Sequence, residues 1–198
     1  MQADFWFDPM CPWAWMTSRW MLEVQKVRDV QVAWHVMSLS YLNANKEVPE
    51  NYKAKMIAGW GPVRVIEAAR AAQGEKIVLP LYNAFGTRIH LQKQEINDQL
   101  IADVLNDLNL PADLINAASD STWDEAVKKS HHAGMDQVGK DVGTPVIAVS
   151  GSAFFGPVIS PAPKGDAAGK LWDGVVACAQ YPGFFELKRS RTVGPIFD

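Results

Sequence analysis

An α/β fold, in which a βαβ unit and a ββα unit are separated by a helical block, is predicted for this 198-residue chain by three observations. A short apolar run, Ala3-Asp4-Phe5-Trp6-Phe7, is followed at once by apolar residues at helical spacing. No convincing strand occurs between Asn43 and about Gly139. Val146–Val149 and Ala153–Phe155 then return as a strand pair around Gly151.

Taken in order, residues 3–7 read as a buried strand. Met16, Trp20, Met21 and Val24 mark one face of a helix that begins at Pro12, the first helical position, where a missing N–H costs nothing. Asp29 marks a turn, and Val30–Leu39 alternates loosely through Val32, Trp34, Val36 and Leu39 as a second strand, with a right-handed crossover expected. From Asn43 the texture becomes polar, through Asn45, Lys46, Glu47 and Pro49. Tyr52–Ala72 is then expected to be helical, broken or kinked at Gly59-Trp60-Gly61-Pro62. Ile77–Leu91 carries Leu81, Phe85 and Ile89 at helical spacing, and Ile96–Leu108 has a clear amphipathic face. Pro111 opens a short helix, and Ser121-Thr122-Trp123-Asp124-Glu125 resembles the capped start of one reaching about Val138. After the strand pair a last helix covers about Asp166–Ala179, and the tail from Tyr181 carries Lys188, Arg189 and Arg191. Residues 1–42 and 140–198 are thus expected to form one core, and residues 43–139 an all-helical insertion.

Composition narrows the function classes. Hydrophobic residues make up 48% and charged ones 21%, ordinary for a globular protein. With a net charge of −3 and no basic stripe, nucleic acid is not an expected partner. No apolar run is long enough to span a bilayer, so no membrane role is expected. No charged segment followed by an apolar one opens the chain, so no signal peptide is expected and the cytoplasm is the expected location. Cys11 and Cys178 lie at opposite ends of the sequence, and a disulfide between them is not expected in a reducing cytosol.

The chemistry points to Cys11, which stands where a strand hands over to a helix in Asp8-Pro9-Met10-Cys11-Pro12-Trp13-Ala14-Trp15. A sulfur there faces unpaired backbone N–H groups and the positive end of the helix dipole, so its pKa is expected to fall below that of a free thiol. Cys11-Pro12-Trp13-Ala14 is a C-x-x-C redox motif whose second sulfur is missing, and the element order matches a thioredoxin-like core with a helical insertion. In such a core Thr144-Pro145, at the head of the third strand, takes the cis form beside the cysteine and leaves the Thr144 backbone free to pair with a bound thiol; an ordinary trans proline at a strand start is the bland alternative.

Longer motifs carry a resemblance. Residues 4–13 (Asp-Phe-Trp-Phe-Asp-Pro-Met-Cys-Pro-Trp), 130–136 (Ser-His-His-Ala-Gly-Met-Asp), 141–145 (Asp-Val-Gly-Thr-Pro), 154–158 (Phe-Phe-Gly-Pro-Val), 169–173 (Gly-Lys-Leu-Trp-Asp) and 184–189 (Phe-Phe-Glu-Leu-Lys-Arg) resemble the mycothiol-dependent nitroreductases, a branch of the DsbA-like thioredoxin-fold proteins. The resemblance covers nearly the whole chain. It implies an enzyme that uses mycothiol, the low-molecular-weight thiol of actinobacteria, as reductant for small nitro-aromatic or disulfide substrates, with no metal, flavin or nicotinamide. The family's nucleophile falls on Cys11, and residues lining its cleft fall on Trp13, Asn43 and Tyr52. Its resolving cysteine falls on Ala14, a departure shared by a monothiol member and by a variant made to trap the mixed disulfide.

Blander roles exist for each residue. Asn43 would cap the loop after the second strand, and Tyr52 would pack in the insertion. His90, on a helix of the insertion after Arg88, could face the cleft, though a lone helical histidine is more often a partly exposed structural residue, and His131-His132 point about 100° apart and do not chelate well. Cys178 follows Leu171, Trp172 and Val175 on an apolar helical face and is expected in the core. Of the tryptophans near Cys11, Trp13 is the one expected to lie exposed, where it could stack on a flat substrate. The basic tail reads as solvated, and with the insertion it would suit a homodimer without requiring one. The competing functions are an isomerase or glutathione-transferase-kappa-like enzyme on the same scaffold, which has serine at the nucleophile position, and an inactive trapping variant.

Overall fold

The computed structural model describes residues 1–197. β1 (Gln2–Phe7) runs into α1 (Pro12–Val27), which returns to β2 (Gln31–Val36). A short α2 (Leu39–Leu42) leads to α3 (Glu50–Gln73), α4 (Val78–Gly86), α5 (Asp98–Asp107) and α6 (Asp124–Met135). β3 (Val146–Val149), β4 (Ser152–Phe155) and α7 (Gly165–Ala179) complete the chain. The four strands form one sheet in the order β2-β1-β3-β4, β1 pairing parallel with β2 and antiparallel with β3. This is the α/β, thioredoxin-like arrangement that the sequence predicts.

Alternation along β1 divides the core. Ala3, Phe5 and Phe7 point to one face, with Trp20 and Met21 of α1 and Tyr82 of α4 in the same apolar cluster; Trp6 points to the other, with Met37, Met135 and Val146. α1 carries Trp20, wholly buried, whose Nε1–H donates to the Ala168 carbonyl of α7 at 3.0 Å. Behind the sheet, Trp6 donates from Nε1 to the Ser130 carbonyl of α6 at 3.0 Å, and the Ser130 hydroxyl donates to the Val36 carbonyl at 2.7 Å.

Some expectations give way. β2 ends at Val36, because the Ser38 hydroxyl accepts from the Tyr41 amide and caps a helical turn instead of extending the strand. α3 runs unbroken through Pro62: Gly59 and Gly61 serve close packing, against Met10 and Ser40 in one case and Ile101 and Ala118 in the other. The helix expected over residues 77–91 begins after a 3₁₀ turn at Glu75–Ile77 and ends in a π turn, Thr87–Leu91. Cys178 is half-buried, because Ala168, Trp172 and Ala179 supply the inward face of α7.

A methyl group at Gly134 would sit 2.6 Å from Cγ of Trp6, a ring held by its bond to Ser130. Gly134→Ala is therefore expected to destabilise the protein by about 1–3 kcal/mol, read as a lower urea midpoint at unchanged m value.

Candidate active site around Cys11

The turn between β1 and α1 is built by one carboxyl group. Asp8 is 1% exposed; Oδ1 accepts from the Met10 amide at 2.8 Å and Oδ2 from the Leu39 amide at 2.6 Å. Its backbone carbonyl accepts from the Cys11 amide at 3.0 Å. Burial pushes the Asp8 carboxyl up to about 7, although both amides oppose the shift.

Cys11 follows as the N-cap of α1, with Pro12 at the first helical position. Its sulfur takes the role usually filled by a serine or aspartate oxygen, accepting from the Ala14 amide at 3.4 Å. From the other side its S–H donates to the Thr144 carbonyl at 3.3 Å. Thr144 is itself fixed, its hydroxyl donating to the Trp6 carbonyl at 3.1 Å, and the Thr144–Pro145 peptide is cis. Residues 133 positions apart in sequence thus meet at one sulfur.

The expected low thiol pKa is overturned in this conformation. Cys11 is 6% exposed, and burial pushes the thiol up to about 12. The amides of Ala14 and Trp13 pull it down, the Asp8 carboxylate adds a further rise, and burial wins. Two surface cavities, of about 250 Å³ between Arg28, Asp173 and Gln180 and about 280 Å³ beside Glu67 and Trp123, are not lined by Cys11. The sulfur is buried, its S–H directed at the Thr144 carbonyl and the Ala14 amide directed at it.

The other residues singled out from the sequence sit as follows. Ala14 is wholly buried one turn into α1. Trp13 is half-buried rather than exposed, because Arg191 lays its guanidinium over the ring at 5.0 Å. Tyr52, near the start of α3, is half-buried; burial raises its phenol pKa, and the Asp8 and Cys11 charges raise it further, which brings this residue into the electrostatic reach of the site. Asn43 caps α2: its Nδ2 donates to the Leu39 carbonyl at 2.8 Å and reaches the Met56 sulfur at 3.9 Å. His131 accepts at Nδ1 from the Ser38 amide at 3.3 Å, and His132 meets the Tyr41 hydroxyl and Asp136. Among the described residues no group of three His, Cys, Asp or Glu side chains could hold a metal ion, and no helix is long and apolar enough to cross a membrane.

One contributor escapes a sequence reading, and two others are placed by the structure where the sequence leaves two readings open. Asp8 lies inside the motif, but nothing local says that its carboxyl is buried. His90 is 5% exposed, and its Nε2 lies 2.8 Å from the Pro9 carbonyl. The segment after α7 also returns to the site: Arg191 covers Trp13, Phe197 stacks on His90 at 5.7 Å, and the Ser160 hydroxyl bonds the backbone of Gly194 and Ile196.

A family model described as mycothiol-dependent nitroreductase Rv2466c matches residues 10–189. The uncharacterized protein Rv2286c of Mycobacterium tuberculosis (strain ATCC 25618 / H37Rv) is 30% identical over 194 residues, covering 96% of this chain and 82% of that protein. Among solved structures, the cytosolic disulfide reductase DsbM from Pseudomonas aeruginosa, in a structure with GSH, matches at a TM-score of 0.59 and 13% identity, over 89% of this chain and 100% of that one. Oxidoreductase DsbA from Xylella fastidiosa matches at 0.55 and 16% identity, over 89% and 84% of the two chains. At such identities these two structures establish the fold, which is DsbA-like.

Cys11 in the folded, reduced protein is expected to alkylate far more slowly at pH 8 than a free thiol, its rate still rising above pH 10. Asp8→Asn removes a nearby negative charge and is expected to move that profile to lower pH. Iodoacetamide kinetics read at several pH values check both.

Proposed function

The chain belongs to the Rv2466c-like family of mycothiol-dependent nitroreductases, and from that premise we propose that it is a monothiol oxidoreductase in which Cys11 exchanges disulfides with mycothiol. The observation that carries this is the position of the sulfur, between the Ala14 amide at the start of α1 and the Thr144 carbonyl beside a cis-proline. A sulfur so placed has amide donors aligned to stabilise a thiolate, and a neighbouring backbone against which a peptide-like thiol could lie. The glutathione in the DsbM structure supports a low-molecular-weight thiol as the partner.

The reaction balances with mycothiol as the only reductant. A nitro-aromatic takes two electrons and two protons from Cys11 and one mycothiol, giving the nitroso compound, water and a mixed disulfide between Cys11 and mycothiol. A second mycothiol thiolate attacks the mycothiol sulfur of that adduct, releases mycothiol disulfide and restores Cys11. In a dithiol enzyme a second cysteine would instead attack the Cys11 sulfur from within, forming an internal disulfide and releasing mycothiol; Ala14 leaves resolution to an external thiol.

The buried thiol sets a condition on this chemistry. Burial is the largest contributor to its high pKa, so an opening that admits water or substrate relieves that contribution first. What is left are the Ala14 and Trp13 amides, which favour the thiolate, and the Asp8 charge, which is reduced below about pH 7. Trp13, half-buried beneath Arg191, is the ring available to a flat substrate when the site opens, and Tyr52 approaches from α3. A cytosolic setting suits a protein whose cysteines, Cys11 and Cys178, are both free.

Reduced protein incubated with mycothiol disulfide is expected to gain the mass of one mycothiol at Cys11, stably until free mycothiol is added, and Cys11→Ser to gain none. Ala14→Cys is expected to discharge the adduct on its own, ending as an internal disulfide. Intact mass spectrometry that finds no addition at Cys11 overturns the proposal, as does nitro-aromatic turnover unchanged in Cys11→Ser, which would indicate activation of a bound thiol instead.

A further inference from the structure

We propose that His90 is a positioning residue for Cys11, its imidazole donating Nε2–H to the Pro9 carbonyl and thereby fixing the turn that presents the sulfur. The proposal deepens the thiol chemistry assigned above and rests on it.

The turn from Asp8 to Cys11 holds itself together in part, through the Cys11 amide on the Asp8 carbonyl and the Met10 amide on the Asp8 carboxyl. A further tie comes from the Leu39 amide. The Met10 amide and the Pro9 carbonyl are the two ends of one planar peptide group: the Asp8 carboxyl holds its N–H end, and none of these bonds holds its C=O end. His90 supplies the partner at 2.8 Å. A carbonyl can only accept, so the imidazole must present a proton at Nε2. Burial keeps the ring neutral, with Lys93 and Arg19 adding to that preference, and a neutral ring donates at one nitrogen only.

Local structure is shaped to deliver this ring. Gly86 ends α4 where the helix meets α1: a Cβ there would fall 2.1 Å from the Trp15 ring, so only glycine allows the approach. The next turn, Thr87–Leu91, widens to a π turn, a local irregularity that is common at functional sites and is otherwise unexplained here. It carries His90 inward, where the ring packs at 5.7 Å from Trp15 and stacks at 5.7 Å on Phe197. The insertion thus reaches the nucleophile's turn through a directed hydrogen bond as well as through apolar packing.

Three variants separate positioning from packing. His90→Phe keeps a flat ring without the donor, His90→Gln keeps a donor close to the Nε2 position, and His90→Asn is polar but too short to reach Pro9. Each is followed by Cys11 alkylation with iodoacetamide, by adduct formation with mycothiol disulfide, by the infrared S–H stretch that reports the bond to Thr144, and by urea unfolding. The Phe and Asn variants are expected to lose roughly 5- to 10-fold in adduct rate, with a shifted S–H band, and the Gln variant to recover most of the rate and the original band. Equal rates and an unmoved band in all three folded variants overturn the proposal, whatever their stabilities. Loss of the fold in all three also overturns it, assigning His90 to the core. If the parent protein forms no adduct with mycothiol disulfide, the oxidoreductase assignment fails by itself, and alkylation and the S–H band still decide the role of His90.

Discussion

A single sulfur atom stands between two opposed influences, and the site is organised around their balance. The N-terminus of α1 offers amides that favour a thiolate, while burial favours the protonated thiol. In this structure burial prevails, and the sulfur keeps its proton, donating S–H to the Thr144 carbonyl. The amide dipoles are fixed parts of a helix and persist when the sulfur is uncovered; the burial does not. Ionisation of this sulfur is therefore tied to its burial, and the burial is set by segments that pack around the turn from remote parts of the chain.

Those segments converge from every part of the fold. β1 and α1 supply Asp8 and Cys11, the turn before β3 supplies Thr144, α3 brings Tyr52, and the π turn after α4 brings His90. Beyond α7 the chain comes back over Trp13 and His90 through Arg191 and Phe197. Asp8 joins two of these layers, because its carboxyl oxygens bridge the turn that carries Cys11 and the start of α2. Its buried charge also opposes thiolate formation, so the group that shapes the turn raises the cost of ionising the sulfur.

Much of the fold was legible because it is written in local periodicities. The short apolar run at residues 3–7 is the buried strand it reads as, with Phe5 and Phe7 in one core cluster and Trp6 in the other. The helical spacing of α1 places Trp20 and Met21 in the core as expected. Errors arose where tertiary contacts override local signals. Glycines in α3 looked like breaks and instead permit close packing, and the apolar pattern of α7 leaves Cys178 half-buried because the helix meets the core along a different stripe. At the site, Cys11, Ala14 and the Thr144–Pro145 pair are adjacent-residue signatures and could be found by spacing. Asp8 could not, and His90 only as one of two open readings, because a lone aspartate or histidine carries no decisive signal until its burial and its partner are known.

The sequence by itself determined the α/β order, the strand-to-helix handover at Cys11, the family, and the absence of a second cysteine at position 14, since each of these depends on neighbours in the chain or on residue identity. Only the tertiary structure decided that the sulfur is buried, that its S–H donates to the Thr144 carbonyl, that Arg191 lies over Trp13, and that the His90 ring comes within 2.8 Å of the Pro9 carbonyl. The physical reason is the range over which each is set. Helix dipoles and caps arise within a few residues, whereas burial and these contacts bring together residues far apart in the chain, 81 positions for His90 and Pro9 and 133 for Thr144 and Cys11.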